Sequence, residues 1–569
     1  MLDTRTSANT NDSLSRKPQG ENRSAAPRLL RAPLLTIALA ALAVEIPFPF
    51  HGMPSGHDVE FHLYSWLEVF SQWKLGIFFP RWAAWANLGY GEPRFLFYPP
   101  ASWMLGSLIS AIFPWRLAAA VYIWSVLVLA GASMFLLVRR WFNRRDAIFA
   151  AALYAGNPYH LVIVYWRSAF AELLASCLVP LLLLLVLKAA EEGWRVLVPL
   201  SLLLAASWLT NAPAAVMIHY SLALLVLIIA WQRRSPRVLL VGASAVALGA
   251  CLSAFYLFPA IYEQKWVNIA EAISSGSRPQ DNFLFIHTTD PDHDAFNRII
   301  SWVAMLEIVA TLAAASGARI WRDKNRPVWT TLIRWAAVCG LLMLPETALL
   351  WNFLPKLAFM QFPWRWLLCL SMMFVIFLTL GVRRWWMRFA VCAVAILVIA
   401  TAWQRIQPPW WDNVADLREM QDNMSDGIGY EGVDEYAPVG ADPSTIDKDA
   451  PQVAVDGAAR ATIQVLHWGP EFKLFTAETS VPDQLALRLF RYPAWQVEVN
   501  GRVVETAARP DTGQMLVPVA AGMNRVQVIF VRTWDRTAGG LISILGVLAW
   551  FAFSKRRPRI ESTIESQSH

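Results

Sequence analysis

Long apolar runs separated by short charged segments dominate the first 404 residues of the chain. A helix needs about 20 mostly apolar residues to cross a membrane, and a periodic apolar pattern of this length predicts a helix. We therefore predict a polytopic α-helical membrane protein with about 12 spans, in the range 11–13. The predicted spans lie near 29–48, 116–138, 147–166, 171–188, 196–211, 212–231, 237–262, 298–320, 328–345, 365–382, 388–404 and 537–554.

The apolar segment 102–113 does not fit this series. It is short for a crossing, and Tyr98-Pro99-Pro100 interrupts the chain just before it. Counting it as a span would also place the basic cluster 139–145 on the opposite side from the other basic clusters. We predict a juxtamembrane or re-entrant helix, with a thirteenth span as the alternative.

Basic clusters set the predicted orientation. Lys and Arg are enriched on the cytoplasmic side of membrane proteins, and this chain carries such clusters at 139–145, 188–195, 232–234, 321–324, 383–384 and 555–557. Both termini are then cytoplasmic, with disordered tail 1–28 and tail 555–569. The run from residue 29 is predicted to be an uncleaved anchor of a 29–404 transmembrane domain, although its Ala-rich end resembles a signal-peptidase site.

The external regions are then 49–115, 263–297, 346–364 and 405–536. Within the last, 408–449 is rich in Asp, Gly and Pro and predicts a loop. Alternating runs follow at 461–466, 485–490, 495–499 and 526–531, with Asn500-Gly501 as a hairpin turn. This pattern predicts a small external β-domain, either one antiparallel sheet or a sandwich, before the last span at 537–554.

Composition supports a membrane location. The 569 residues are 56% hydrophobic and 16% charged, with a mean hydropathy of +0.39, which is too apolar for an ordinary soluble protein. The net charge of +7 comes from clusters between apolar runs, so it indicates topology and not nucleic-acid binding. All five cysteines lie in apolar segments, which argues against a disulfide framework or a thiolate metal site.

The first external loop holds the strongest candidate chemistry. Asp58 and Glu60 lie between His57 and His62, beside a membrane span. An aspartate there can accept a proton from a hydroxyl, or the two acids can ligate a divalent cation such as Mg or Mn. The alternative is that the carboxylates are solvated and the loop tryptophans form an interfacial belt. Zinc is disfavoured because the histidines lack a compact ligand spacing.

Four further external motifs carry ionisable groups. Arg167 and Glu172 lie at a corner between two spans, where a retained charge usually faces a cavity, although snorkelling to the surface is the alternative. Arg365 follows Trp364 at the start of a span and can grip a phosphate. The acidic, aromatic stretch 427–436 could cover the site or recognise an acceptor. The His287 to Asp294 cluster is interpreted as an ordinary loop, with binding of calcium or an acceptor as the alternative.

Several of these motifs together resemble the bacterial membrane family named 6-pyruvoyl-tetrahydropterin synthase-related. The resemblance rests on 56–62, 89–93 with 97–100, 167–172, 362–365 and 430–438. The architecture is similar to GT-C glycosyltransferases, which use polyprenyl-phosphate sugars on the external face. The segment 492–501 resembles the external β-domain of YfhO-like proteins implicated in glycosylation.

This resemblance implies a hexosyl- or pentosyltransferase in the bacterial inner membrane. Asp58 would be the catalytic base or a metal-site residue, and Glu60 and Glu172 would orient the acceptor or a metal. The donor would be a polyprenyl-phosphate sugar, and the acceptor a glycan, lipid or protein. The other predicted substrate-binding residues are His57, His62, Arg81, Tyr98, Arg167, Trp364, Arg365, Glu431, Asp434 and Glu435.

Two other classes of function remain open from sequence. A transporter or lipid flippase would use buried charges along a pathway, but it predicts an internal repeat, and none is convincing. A non-catalytic envelope-glycan assembly protein would use the β-domain for binding alone. It predicts that Asp58→Asn leaves function intact.

Overall fold

The computed structural model describes residues 26–318, 320, 323, 325–402 and 410–555. Most of the two predicted cytoplasmic tails and part of the 321–324 cluster therefore lie outside the described residues. The first described helix is Ala26–Val44, which contains most of the first predicted apolar run. The helices are Ala26–Val44, Phe48–His51, Val59–Lys74, Arg94–Phe97, Pro100–Ile112, Trp115–Val138, Arg144–Ala155, Pro158–Val162, Phe170–Ala175, Leu178–Glu192, Leu197–Thr210, Ala212–Arg233, Arg237–Leu252, Ala254–Glu263, Pro291–Gly317, Arg326–Leu342, Ala348–Phe353, Leu367–Gly381, Trp385–Leu397, Val414–Ser425 and Trp534–Lys555.

The described helices make the chain a polytopic helical membrane protein. Eight helical segments are long and apolar enough to cross a membrane, and two bent pairs raise this to ten. The bends are 76° between Arg237–Leu252 and Ala254–Trp266, and 89° between Arg326–Leu342 and Pro345–Phe353. The predicted count of about 12 is therefore not confirmed. The segment after Tyr98 is a short helix, Pro100–Ile112, and its relation to the membrane stays a prediction.

One long apolar segment contains a chain reversal. Phe170–Thr210 is 41 residues long and includes the helices Leu178–Glu192 and Leu197–Thr210. They meet at Gly193, whose φ of +64° lies in the left-handed region. A Cβ there would approach the Arg237 guanidinium to 2.2 Å, which the flexible arginine side chain can relieve by moving, so the positive φ is the reason for glycine. This turn separates the two runs that the sequence pattern predicted as separate helices.

The described strands form two larger antiparallel sheets in the C-terminal region and one short two-stranded sheet. The strands are β1 (Met53–Pro54), β2 (Trp411–Asp412), β3 (Val453–Val455), β4 (Ala461–Trp468), β5 (Phe472–Thr479), β6 (Asp483–Phe490), β7 (Trp495–Val499), β8 (Arg502–Val504), β9 (Ala507–Ala508), β10 (Gln514–Val519) and β11 (Gly522–Phe530). The sheet orders are β3-β6-β10-β9 and β4-β5-β11-β7-β8, and β1 pairs with β2. Side chains of both larger sheets share one apolar core, which makes a sandwich.

The strands of this sandwich that were predicted from alternating residues are confirmed. Val499 pairs with Arg502 across Asn500 and Gly501, which both have positive φ, as a two-residue hairpin turn requires. The prediction of loop throughout 408–449 is wrong, because Val414–Ser425 is a helix. Its sequence is mostly polar, but Asn413 and Asp416 form a capping box and Leu417 and Met420 are buried.

The sandwich is fixed to the first loop and to the helices. Trp82, Tyr90 and Phe97 of the first loop lie in the same core as the sandwich residues. At the start of the last helix, Arg536 donates from Nε and Nη2 to the Glu263 carboxylate at 2.7 and 2.8 Å. The Tyr492 hydroxyl donates to the same carboxylate at 2.6 Å. All of these groups are buried.

Removing one partner of this buried pair is expected to destabilise the fold. Arg536→Met leaves the Glu263 carboxylate buried without its cation, which typically costs about 3 to 5 kcal/mol. Thermal unfolding in detergent measures the effect, with Arg140→Met as the matched control, because the Arg140–Glu191 pair is partly exposed. Equal melting temperatures for the two variants would contradict the assignment.

Candidate active site

The segment around Asp58 is held against the corner that contains Arg167. The backbone N–H of Asp58 donates to the Arg167 carbonyl at 2.9 Å, and that of His57 to the Trp166 carbonyl at 3.3 Å. Arg167 ends a single π-helical turn, Ile163–Arg167, and Ser168 follows with a φ of +47°. π-turns and left-handed non-glycine residues are strained features that recur at functional sites.

Gly56 makes this close approach possible. Its N–H donates to the Ser168 hydroxyl at 2.9 Å, and that hydroxyl donates to the Pro54 carbonyl at 3.1 Å. A Cβ on Gly56 would lie 2.4 Å from the Trp166 carbonyl oxygen. The glycine of the 56–62 motif is therefore required for space.

Gly56→Ala is accordingly expected to lower the free energy of unfolding by about 1 to 3 kcal/mol, the usual cost of overpacking. Thermal unfolding measures the change. Gly317→Ala is the matched control, because a Cβ there has no neighbour within 4 Å. If both variants melt together, the packing argument for Gly56 fails.

Only one of the three nitrogen atoms of the Arg167 guanidinium bonds Asp58. Its Nη2 lies 2.9 Å from Asp58 Oδ2. Arg167 is 5% exposed, and its Nε and Nη1 are buried without a hydrogen-bond partner among the described residues. Its Cζ lies 4.8 Å from the Phe362 ring centroid and 5.3 Å from that of Trp364. A buried cation with unused donors is suited to a bound anion.

Arg365 lies beside this pair but has its own carboxylate. Its Nε lies 3.2 Å from Glu172 Oε2, and its Nη1 donates to Met360 O at 2.6 Å and Gln361 Oε1 at 3.0 Å. The Tyr159 hydroxyl donates to Glu172 Oε1 at 2.5 Å. Glu172 is 1% exposed and is fully engaged. The structure therefore places Glu172 as the residue that holds Arg365, and not as a free second acid.

These cations control the charge of Asp58. Burial opposes ionisation of the carboxyl group, but the positive charge of Arg167, with help from Arg365, lowers the pKa of Asp58 below its ordinary value. Its side chain is 36% exposed, so the ionised carboxylate also faces the cavity that it lines.

His62 is a neutral neighbour of this carboxylate. Burial lowers the pKa of His62 to about 4, and the nearby Asp58 only partly offsets this. Its ring lies 5.8 Å from that of Tyr98 and 5.1 Å from that of Phe170. Its Nε2 is buried without a partner in the described part of the chain. His62 therefore lines the interior side of Asp58 as an uncharged imidazole.

A cavity of about 660 Å³ opens beside Asp58 and Arg167. Its walls come from separate parts of the chain and are strongly aromatic. Asp290, Asp292 and His293 line it, although the sequence of that cluster favours an ordinary loop. The full lining is His57, Asp58, Trp166, Arg167, Ser275, Gly276, Ser277, Asn282, Asp290, Asp292, His293, Ala295, Phe296, Phe362, Trp364 and Trp410.

Several predicted site residues lie elsewhere. Glu60 is exposed and does not line this cavity. Arg81 lies near Arg536 and Glu471 at the sandwich, where burial first and the other arginines next lower its pKa to about 10. Glu431 and Asp434 are exposed.

Glu435 and Tyr98 are closer to Asp58. Burial, with the negative charges of Glu92 and Asp58, raises the pKa of Glu435 to about 7. Burial raises the pKa of Tyr98 well above its ordinary value, and Asp58 adds to that effect. Both side chains therefore experience the charge of Asp58, although neither lines the cavity.

The groups that act directly on the Asp58 carboxylate are cations, although Asp290 and Asp292 also line the cavity. Two guanidinium groups, Arg167 and Arg365, act on its carboxylate. Within the described ranges, no cluster of three or more His, Cys, Asp or Glu side chains could hold a metal ion. A divalent cation at Asp58 and Glu60 would have to compete with Arg167 for Asp58, without Glu60 lining the same cavity.

Comparison with known proteins identifies a family and finds similar solved structures. Residues 95–408 match the family described as the 6-pyruvoyl-tetrahydropterin synthase related domain, a membrane protein. The apo crystal structure of the Archaeoglobus fulgidus oligosaccharyltransferase aligns with 69% of this chain and 57% of its own length, just over half, at 14% identity. The TM-score of this alignment is 0.33. Curated proteins give no match.

Proposed function

The chain belongs to the 6-pyruvoyl-tetrahydropterin synthase related family of membrane proteins, and we propose that it is a GT-C-type glycosyltransferase of the bacterial inner membrane. In this proposal, a sugar moves from a polyprenyl-phosphate donor to an acceptor hydroxyl on the external face. The acceptor is a glycan, a lipid or a protein. Both termini would then be cytoplasmic.

One observation carries the proposal. A buried guanidinium, Arg167, bonds the Asp58 carboxylate with Nη2, and its Nε and Nη1 have no hydrogen-bond partner among the described residues beside the aromatic cavity. A base and an anion-binding group are therefore adjacent, which is the pairing that an inverting sugar transfer from a phosphate requires.

In the proposed transfer, one bond forms at the anomeric carbon, one bond breaks there, and one proton moves. The acceptor hydroxyl attacks the anomeric carbon and gives its proton to Asp58. The bond between the anomeric carbon and the phosphate oxygen breaks, and the polyprenyl phosphate leaves with the electron pair. Arg167 stabilises the negative charge on the departing phosphate, and Arg365 adds a second positive charge close to Asp58.

The aromatic walls give the cavity its second property. Trp166, Phe296, Phe362 and Trp364 lie around the charged groups. The face of an aromatic ring is apolar and can pack against the face of a sugar ring. Polar groups can lie at the edge of the same aromatic ring. A mostly apolar pocket with a few placed polar groups is also the usual form of a small-molecule site.

A transfer assay tests the proposal directly. The full-length protein in lipid nanodiscs is incubated with polyprenyl-phosphate sugars labelled in the sugar, together with glycan, lipid or peptide acceptors. We expect label in the acceptor, an equal amount of released polyprenyl phosphate and an inverted anomeric centre. Transfer from nucleotide sugars alone, a retained anomeric centre, or no transfer across the whole panel would overturn it.

A further inference from the structure

A second cavity, of about 290 Å³, lies between the sandwich and the first loop. It shares no lining residue with the cavity beside Asp58. Its walls combine three tryptophans with charged and amide side chains. The lining residues that matter here are Trp82, Trp85, Trp468, Lys473, Arg488, Gln452 and Asp426.

The two cations of this cavity are fixed by the fold. Lys473 on β5 is 2% exposed, and its Nζ donates to the Gly469 carbonyl at 3.0 Å. Its Nζ also lies 4.3 Å from the Trp495 ring centroid and 5.3 Å from that of Trp468. Arg488 on β6 donates to the Leu88 carbonyl from Nε and Nη2 at 2.9 and 2.5 Å. The cavity is thus preorganised by the contact of the sandwich with the first loop.

The charge of the lining favours an anionic ligand. Lys473 and Arg488 face one lining carboxylate, Asp426, which is exposed at the rim. An ammonium group has three donors, and the Lys473 bond to Gly469 uses one of them. Trp85 and Trp468 are only partly buried, so they present ring surface to the same space. Ring surface beside a buried cation suits a sugar that carries a negative group.

We propose that this second cavity binds one saccharide unit that carries a carboxylate or a phosphate group. The ring lies against Trp468 or Trp85, and the negative group lies at Lys473. The volume of about 290 Å³ lies just below the range for small-molecule sites, about 300 to 1,000 Å³, which suits one ring and not an extended glycan. The sandwich thereby becomes a glycan-binding module that is separate from the chemistry at Asp58.

Burial of Lys473 makes binding measurable as proton uptake. Burial lowers the pKa of Lys473 to about 7, and Glu471 on the preceding turn partly opposes this shift. The other charged groups that line the cavity are Asp426 and Arg488. An anion held at Lys473 favours its charged form, so binding is expected to take up a fraction of a proton at pH 7 and to strengthen as the pH falls from 8 to 6.

Calorimetric titration of the full-length protein in nanodiscs tests the site. The probes are glucuronate and glucose 6-phosphate, with glucose and glycerol phosphate as the comparisons that lack the charge and the ring. We expect the two charged sugars to bind at least about tenfold more tightly than glucose, as a hydrogen bond to a charged group predicts. Two buffers of different ionisation heat give the proton uptake. Glycerol phosphate binding as tightly as the sugars would overturn the saccharide assignment.

Three variants locate the binding. Lys473→Gln is expected to weaken glucuronate at least about tenfold and to abolish proton uptake. Lys448→Gln removes the same charge at an exposed position outside the cavity and is expected to leave both unchanged. Asp426→Asn removes the exposed rim carboxylate and is expected to tighten binding about two- to fivefold.

Asp426→Asn keeps the test decisive if Lys473→Gln fails to fold, because it changes only an exposed side chain. Equal affinities for the wild type and Asp426→Asn, or no saturable binding of either charged sugar, would overturn the proposal. Asp58→Asn is expected to retain binding in this cavity, so failure of the proposed transfer reaction and failure of this second site are distinguishable.

Discussion

Asp58→Asn is expected to lower the rate of sugar transfer by at least about 100-fold, the lower end of what a positioned general base contributes. The amide has the size of the carboxylate and can still lie at the start of Val59–Lys74, but it cannot accept the acceptor's proton. The assay is the initial rate of labelled sugar transfer at saturating donor. An undiminished rate would exclude Asp58 as the base and would favour a non-catalytic role for the chain.

Glu60→Gln is the comparison that makes this result specific. Glu60 starts the same helix but is exposed and outside the cavity, so its replacement is expected to leave the rate within about twofold, as usual for a surface substitution. An equal loss in both variants would mean that the two acids act together, as the sequence first suggested.

The pH dependence of the wild type gives a second check on Asp58. Its pKa is lowered, so the carboxylate stays ionised as the pH falls from neutral, and activity is lost only below its ordinary value of 3.8. If Asp58 alone determines the pH dependence, the transfer rate is therefore expected to stay constant from pH 7 to about 5. A fall in the rate between pH 7 and 6 would indicate another titrating group, and Glu435, with a pKa of about 7, is a candidate.

The features of the fold that could be predicted from sequence are those with a local signal. Long apolar runs showed a polytopic membrane protein, and period-two alternation with an Asn-Gly turn showed much of the sandwich. Helix Val414–Ser425 was missed because it has a polar sequence and gains its stability from caps and a few buried contacts. The number of membrane spans could not be predicted from sequence either, because bends and short helices divide the apolar runs.

The candidate site shows a similar division. Asp58, Arg167, Trp364 and Arg365 each stood out because a charge or an aromatic ring lay beside an apolar run. The pairing of these residues could not be predicted from sequence, because Arg167 and Asp58 are 109 positions apart and Arg365 and Glu172 are 193 positions apart. Arg167 and Glu172 are neighbours in the sequence, at the same corner between two predicted spans, but the structure pairs Glu172 with Arg365.

The aromatic walls and the 290–293 segment of the cavity could not be foreseen either. They come from loops and helix ends that meet only in the folded chain. No spacing rule connects Trp166, Phe296 and Trp410 with Asp58. Gly56 belonged to a recognised motif, but its role depends on a carbonyl more than a hundred residues away.

Arg167→Met is expected to lower the transfer rate about 100- to 1,000-fold, because it removes a preorganised positive group from the site of developing charge. It also leaves Asp58 without its partner at 2.9 Å, so loss of rate alone does not separate phosphate binding from positioning. Inhibition by polyprenyl phosphate, the proposed leaving product, separates them. Arg167→Met should weaken this inhibition at least about tenfold, since a charge-assisted bond to phosphate is lost.

Asp58→Asn should leave polyprenyl-phosphate inhibition equal or stronger, because it removes a negative charge beside the phosphate. Arg167→Lys keeps the charge but loses the planar fork that reaches both Asp58 and a phosphate, so it should fall between wild type and Arg167→Met in rate and inhibition. Arg140→Met is the matched control, since its partner Glu191 lies at a partly exposed surface pair. If Arg167→Met and wild type show the same inhibition, Arg167 acts only by holding Asp58, and the phosphate must bind elsewhere.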